Sequence, residues 1–166
     1  LVGLSSNSPE GITSVVYFIL IYVFSNLAAF GVAATISAKT GKENIDDYKG
    51  FYKTNPFLTW IMALALFSLA GIPPTAGFFG KLFLLTAGAS NANYLFIIIA
   101  ALNLIVSLYY YLRVIRSMFM DKNEYPLAKI NVQLSTKLGM LICAAGIILV
   151  GILSWIYDYI QSLSWE

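Results

Sequence analysis

The sequence predicts an all-α membrane protein with four transmembrane segments, the second of them interrupted at Pro73-Pro74. Three observations carry that reading. Apolar residues make up 59% of the 166-residue chain and charged residues 11%, where a soluble domain carries about 25% charged residues. So much hydrocarbon cannot be hidden in a core of this size. The charges are also bunched: four apolar blocks, each reaching the roughly 20 residues a helix needs to cross a bilayer, alternate with lysine-rich stretches. Finally, the second block exceeds one plain span and holds both a double proline and a single stranded charge, Lys81.

The first span covers residues 11–38, with Glu10, Thr13 and Ser14 as starting signals. Its Ala28, Ala29, Gly31, Ala33 and Ala34 form a small-residue run suited to close helix packing. A polar connector, 39–54, follows. The second span covers 55–89 and is broken near 71–75. Ser90-Asn-Ala-Asn93 reads as a polar turn into a third span, 92–118, which stops before Asp121-Lys-Asn-Glu-Tyr-Pro126. A second connector, 119–136, leads to the fourth span, 137–160. Helices are required because lipid offers no partner to a free backbone amide, and no strand pattern occurs in the sequence.

The second block needs an interruption on length alone. From Asn55 to Ser90 is 35 residues, about 52 Å of helix against a hydrocarbon core of about 30 Å. It is either a hairpin of two short helices or one broken span, and the positive-inside rule decides between them. Lys39, Lys42, Lys49 and Lys53 fill the first connector, and Arg113, Arg116, Lys122, Lys129 and Lys137 surround the second. One broken span puts both clusters on one side and Glu10, the Ser90 turn, Asp158 and Glu166 on the other. A hairpin would split the clusters, so the broken span is expected, with the lysine-rich connectors cytoplasmic.

That choice puts Lys81 about 13–14 Å inside the outer boundary, near mid-membrane. A lysine there costs about 2.5–3.5 kcal/mol on insertion scales, a cost that signals function when the charge faces protein or water. Pro73 and Pro74 lack amide hydrogens, so the carbonyls of Leu69 and Ala70 lose their helical partners. Such carbonyls persist at membrane depth where they are buried in protein or line a hydrated cavity, a construction that recurs in ion carriers. Gly71, Gly77 and Gly80 permit irregular backbone and close approach. Thr75 is placed to cap the second half-helix, and Ser68 lies one turn before the break. A lysine gives up and regains a proton where an arginine does not, so Lys81 is the candidate proton relay. The competing reading makes Lys81 an anchor that snorkels to the headgroups and the Pro-Pro a kink.

The remaining candidates are structural. Arg113 and Arg116, after Tyr109-Tyr-Tyr111, read as an interfacial belt. Asn26, Ser68, Asn103 and Ser107 read as hydrogen-bond links between helices. The mixed-charge stretch 42–49 reads as a solvated or subunit-contact segment, and Cys143 as a small core residue. One cysteine excludes an internal disulfide, and histidine is absent, which removes the commonest metal ligand. No nucleotide loop, metal spacing or carboxylate pair occurs, so no cofactor and no nucleic acid partner is expected. The chain starts at Leu1 without a signal-peptide layout and is expected to be part of a longer polypeptide.

Asp46-Asp-Tyr-Lys-Gly50, Leu69–Lys81 (LAGIPPTAGFFGK) and Tyr109-Tyr-Tyr-Leu-Arg113 together carry a resemblance. They are similar to the antiporter-like membrane subunits of bacterial-type NADH:quinone oxidoreductase (respiratory complex I), most closely the C-terminal part of subunit N. That family is related to the membrane subunits of multisubunit cation/proton antiporters. The resemblance implies a fragment of a bundle of about fourteen helices built from inverted repeats, with Lys81 on a proton path driven by quinone reduction elsewhere. It also implies NADH, flavin, iron–sulfur clusters and quinone in partner subunits, neighbouring antiporter-like subunits in the bilayer, and a bacterial cytoplasmic membrane location. A cation/proton antiporter subunit without NADH chemistry, and a non-transporting structural subunit, are the other readings.

Overall fold

The computed structural model describes residues 9–89, 94–152 and 155–163. Among these the chain forms helices and turns, with no strand. Helix α1 runs Pro9–Thr40, α2 Pro56–Ala70, α3 Ala76–Ala89, α4 Tyr94–Phe119, α5 Leu134–Ile152 and α6 Trp155–Leu163. Three of them (α1, α4 and α5) are long and apolar enough to cross a membrane, and α2 and α3 are shorter apolar helices. The Ser90–Asn93 turn, Glu166 and residues 153–154 of the expected fourth span lie outside the described residues.

Helix α1 carries Glu10 in its first turn and Lys39 in its last, each complementing the helix dipole. It stops at Gly41 (φ 67°), whose amide donates to the Ser37 carbonyl at 2.8 Å. Its buried stripe of Tyr17, Ile21, Ser25, Ala28, Val32 and Ile36 recurs every three or four residues and faces the bundle. Against this stripe pack α2, α3, α5 and α6, while α4 packs on α2 and α3. Helix α2 contributes Leu58, Ile61, Met62, Ala65 and Leu66 to the main core.

The outward faces are strongly apolar. Phe30, Leu95, Ile105 and Ile152 are each 66–69% exposed, a pattern that suits lipid or neighbouring helices rather than water. The small-residue run of α1 is used in part: Ala28 and Ala29 are buried, whereas Ala34 is exposed.

The first connector is docked rather than free. Its two 3₁₀ turns, Ile45–Tyr48 and Phe51–Lys53, bury Tyr48 and Phe51. The Gly50 amide donates to the Ser117 carbonyl at 3.2 Å, and the Ser117 hydroxyl donates to the Ile45 carbonyl at 2.9 Å. The second connector meets the same end of the bundle through Asn55. Its Nδ2 donates to the Ala128 carbonyl (3.1 Å) and its Oδ1 accepts from the Ile130 amide (2.7 Å). Asn55 is 5% exposed, and removing it leaves both backbone groups unpaired, at about 1–3 kcal/mol. We expect Asn55→Ala to lower the thermal midpoint of the detergent-solubilised full-length protein by several degrees and to expose the 120s connector to limited proteolysis.

Candidate functional site

The site forms where α2 ends and α3 begins. Helix α2 terminates like an ordinary helix C-terminus: Gly71 adopts φ 78°, a conformation that favours glycine. Its amide donates to the Phe67 and Ser68 carbonyls, each at 3.0 Å, and the Ile72 amide to Phe67, also at 3.0 Å. Pro73 and Pro74, joined by a cis peptide bond, cannot continue the ladder. The chain resumes as α3 at Ala76.

Lys81 sits six residues into α3, half-buried. Its side chain leans back toward the N-terminal end of its helix, the usual direction for a long helical side chain, and Nζ donates to the Leu69 carbonyl. Leu69 is the residue whose helical acceptor position Pro73 leaves vacant. The lysine thus ties α3 to the end of α2 and supplies the donor that the proline withholds. Among the described residues no carboxylate lies within 4.0 Å of it. Gly71 makes the approach possible, because a Cβ there would meet Lys81 Cδ at 2.9 Å.

Thr75 does not take the cap role expected from the sequence. Its hydroxyl donates backward, to the Ile72 carbonyl at 2.7 Å and the Phe67 carbonyl at 3.4 Å. Ser68 is buried and accepts from Ser25 Oγ at 2.8 Å, joining α1 to α2. Gly77 packs on the backbone of Ser68, where an added methyl would overlap its carbonyl. Pro73, Pro74 and Thr75 also line an apolar cleft of about 440 Å³ toward α5.

Lys81 borders a cavity of about 190 Å³ whose mixed lining includes the polar Ser25, Ser68, Asn103, Ser107 and Tyr111 beside Phe18, Ile21 and Leu104, with volume for several water molecules at ~30 Å³ each. Of the four residues expected to link helices, only Ser68 does so. Asn26 and Asn103 each donate to a carbonyl of their own helix, Tyr22 and Ile99 respectively, and Ser107 lines the cavity. Ser25 and Tyr111 were missed. The signal for Ser25 lay in the α1 stripe, on which position 25 falls and position 26 does not. For Tyr111 it lay in the four-residue spacing of 103, 107 and 111.

A second, charged cleft of about 770 Å³ lies where the first connector meets the end of α4. Asp46, Lys49, Arg113, Arg116 and Asp121 border it. Lys49 pairs with Asp46 at 2.7 Å and Arg116 with Asp121 at 3.5 Å. The hydrogen bond from Lys49 holds the Asp46 carboxyl below its ordinary range and holds Lys49 above its own. Both pairs are local, one inside the first connector and one at the end of α4, and exposed pairs of this kind add little to stability. Cys143 is a free thiol packed against the main core.

Long apolar helices with exposed apolar faces, bundled around two short ones, define a multi-pass all-α membrane protein. The family described as "NADH:quinone oxidoreductase/Mrp antiporter, TM" matches residues 1–108, and the chain belongs to that family. Its relatives include NADH-quinone oxidoreductase subunit N of Azobacteroides pseudotrichonymphae, 45% identical over 99% of this chain, and of Phocaeicola vulgatus, 45% identical over 97%. The chain spans about a third of their length, 35% and 34%. Among solved structures, a chain of respiratory complex I from Thermus thermophilus with bound aureothin superposes with a TM-score of 0.67. The match covers 92% of this chain and 42% of that one, at 21% identity.

Proposed function

We propose that this chain is the C-terminal portion of a proton-translocating membrane subunit of NADH:quinone oxidoreductase, of the subunit N type, and that Lys81 is its proton relay. The observation that carries the reading is the bond from Lys81 Nζ to the Leu69 carbonyl across the Pro73-Pro74 gap, beside a cavity roomy enough for water. A side chain that bridges two half-helices while touching a hydrated space can release and recover a proton without unfolding either helix. In this reading α2 and α3 are one interrupted span of four. Ser68, Gly71, Pro73, Pro74, Thr75 and Gly77 hold the gap open. The subunit N relatives at 45% identity support the redox complex over an antiporter complex, although the family's description names both.

NADH, flavin, iron–sulfur clusters and quinone belong to partner subunits, and the flanking partners are antiporter-like membrane subunits. The membrane is the bacterial cytoplasmic one. Both connectors are bonded at one end of the bundle, as the positive-inside rule requires of a cytoplasmic face. The test is proton uptake per NADH oxidised in vesicles carrying the full-length subunit with Lys81→Met. Parental pumping in a fully assembled complex overturns the relay. Purification of the full-length protein without a redox arm favours the antiporter complex.

A further inference from the structure

Two charged cavities lie among the connectors, and they differ in how their charge is met. In the larger, beside α4, three cations (Lys49, Arg113 and Arg116) face two carboxylates, Asp46 and Asp121. The smaller, about 290 Å³, lies between the start of α2 and the approach to α5. Lys129 and Lys137 border it, and no aspartate or glutamate does. Among the described residues neither lysine has a carboxylate within 4.0 Å.

Both lysines are held from the start of α2. The buried Asn55 clamps the second connector on either side of Lys129, donating to the Ala128 carbonyl and accepting from the Ile130 amide. Two residues further on, the Phe57 ring takes the Lys137 ammonium over its face, 5.1 Å from the ring centre. Lys137 lies in the first turn of α5, the end at which the helix dipole disfavours a cation. A positive charge kept there without a carboxylate leaves a place for an anion. The rest of the wall is apolar, with Pro56, Ile130 and Val132 beside Phe57. The cavity also sits where α5, a helix long enough to cross the membrane, begins. Paired cations above an apolar wall at a membrane boundary match a phospholipid, its phosphate on the ammoniums and its glycerol and upper acyl chain on the wall.

We propose that this cavity binds the phosphate of an anionic phospholipid, with Lys129 and Lys137 as its two cationic contacts. A free phosphate would meet the same ammoniums but leave the apolar wall in water, so the lipid is the better fit. Seated there, it ties the first turn of α2 to the first turn of α5 through a group that neither helix supplies. The proposal rests on the chain spanning a membrane and not on the relay role of Lys81, so its failure leaves that role untouched.

The experiment reads lipid contact in the full-length protein within its native assembly, in a parent lacking Cys143 and other reactive cysteines. Asn131→Cys, on the cavity wall, carries a bimane fluorophore, and the assembly is placed in phosphatidylcholine nanodiscs holding a minor fraction of brominated lipid. Brominated phosphatidylglycerol is expected to quench at least threefold more than brominated phosphatidylcholine at the same fraction. The preference falls to near unity in Lys129→Gln/Lys137→Gln and survives in Lys129→Arg/Lys137→Arg. It also survives in Lys39→Gln/Lys122→Gln, which removes the same charge from the connectors without touching the cavity, and millimolar inorganic phosphate leaves it unchanged. Equal quenching by the two lipids overturns the proposal. So does an equal loss in Lys39→Gln/Lys122→Gln, which would mark general surface attraction. Displacement by inorganic phosphate would make the ligand a free anion, and no quenching by either lipid would put a protein segment over the cavity; each overturns it. Should the double variant assemble poorly, Lys129→Gln alone is expected to lose at least half of the preference, and full retention there overturns the proposal as well.

Discussion

Lys81→Met in the full-length subunit abolishes proton translocation, or lowers it at least tenfold, while the complex assembles normally. Methionine keeps the length and the apolar stem of lysine and removes the titrating group. It therefore leaves the packing against Gly71 in place and deletes the bond to the Leu69 carbonyl. Lys81→Arg separates relay from anchor. Arginine retains the charge and reaches the headgroups as well as lysine does, so an anchoring role survives the change. It does not deprotonate in proteins, so a relay does not survive it. The expected pattern is loss of pumping in both variants. If NADH oxidation is tightly coupled, quinone reduction falls in parallel, and the two rates are measured together in sealed and uncoupled vesicles. Parental rates in Lys81→Arg with loss in Lys81→Met would make the residue a fixed charge rather than a carrier.

The sequence disclosed the helices and the gap because lipid imposes a coarse grammar. Span length, charge bunching and the missing amides of Pro73 and Pro74 are all one-dimensional signals, and the described residues form helices and no strand, three of the helices long and apolar enough to cross a membrane. The gap itself was legible down to the carbonyl it frees. What accepts from what was not. That Leu69 accepts from Lys81, twelve residues away, depends on α3 folding back along the end of α2, a geometry that no local pattern encodes. Thr75 was misassigned for a related reason. Its hydroxyl could serve α3 amides or α2 carbonyls, and the choice follows from how tightly the turn closes. The polar contacts split by phase: Asn26 attracts attention as the stronger hydrogen-bonding residue, yet the buried stripe of α1 passes through Ser25. In a bundle whose outer face is also apolar, hydrophobicity no longer distinguishes inside from outside. Position on the stripe then carries the information that composition carries in soluble proteins.

Gly77 is the position at which the smallest chemical change has the largest structural effect. It lies in the first turn of α3 with its Cα against the Ser68 carbonyl, close enough that a methyl group would occupy the same space as backbone oxygen and carbon. Backbone does not yield as a flexible side chain does, so Gly77→Ala must push α3 off α2. Overpacking of this kind costs about 1–3 kcal/mol, and more where the neighbour is rigid. Gly139 offers the contrast: nothing lies within 4 Å of a Cβ built there, and alanine in a helix interior is favoured over glycine by about 0.5–1 kcal/mol. Gly139→Ala should therefore raise the thermal midpoint of the full-length protein slightly, while Gly77→Ala lowers it by several degrees or prevents assembly. The functional consequence follows from where the displacement acts. Ser68 holds α1 through Ser25 at 2.8 Å, so α2 is pinned and α3 must move. That motion carries Lys81 away from Leu69 and widens the gap the lysine bridges. Where Gly77→Ala assembles, proton translocation should fall at least several-fold, beyond what the stability loss alone produces, and Gly139→Ala should pump at the parental rate. A Gly77→Ala complex with parental stability and pumping would show that the contact between α3 and Ser68 does not position the lysine.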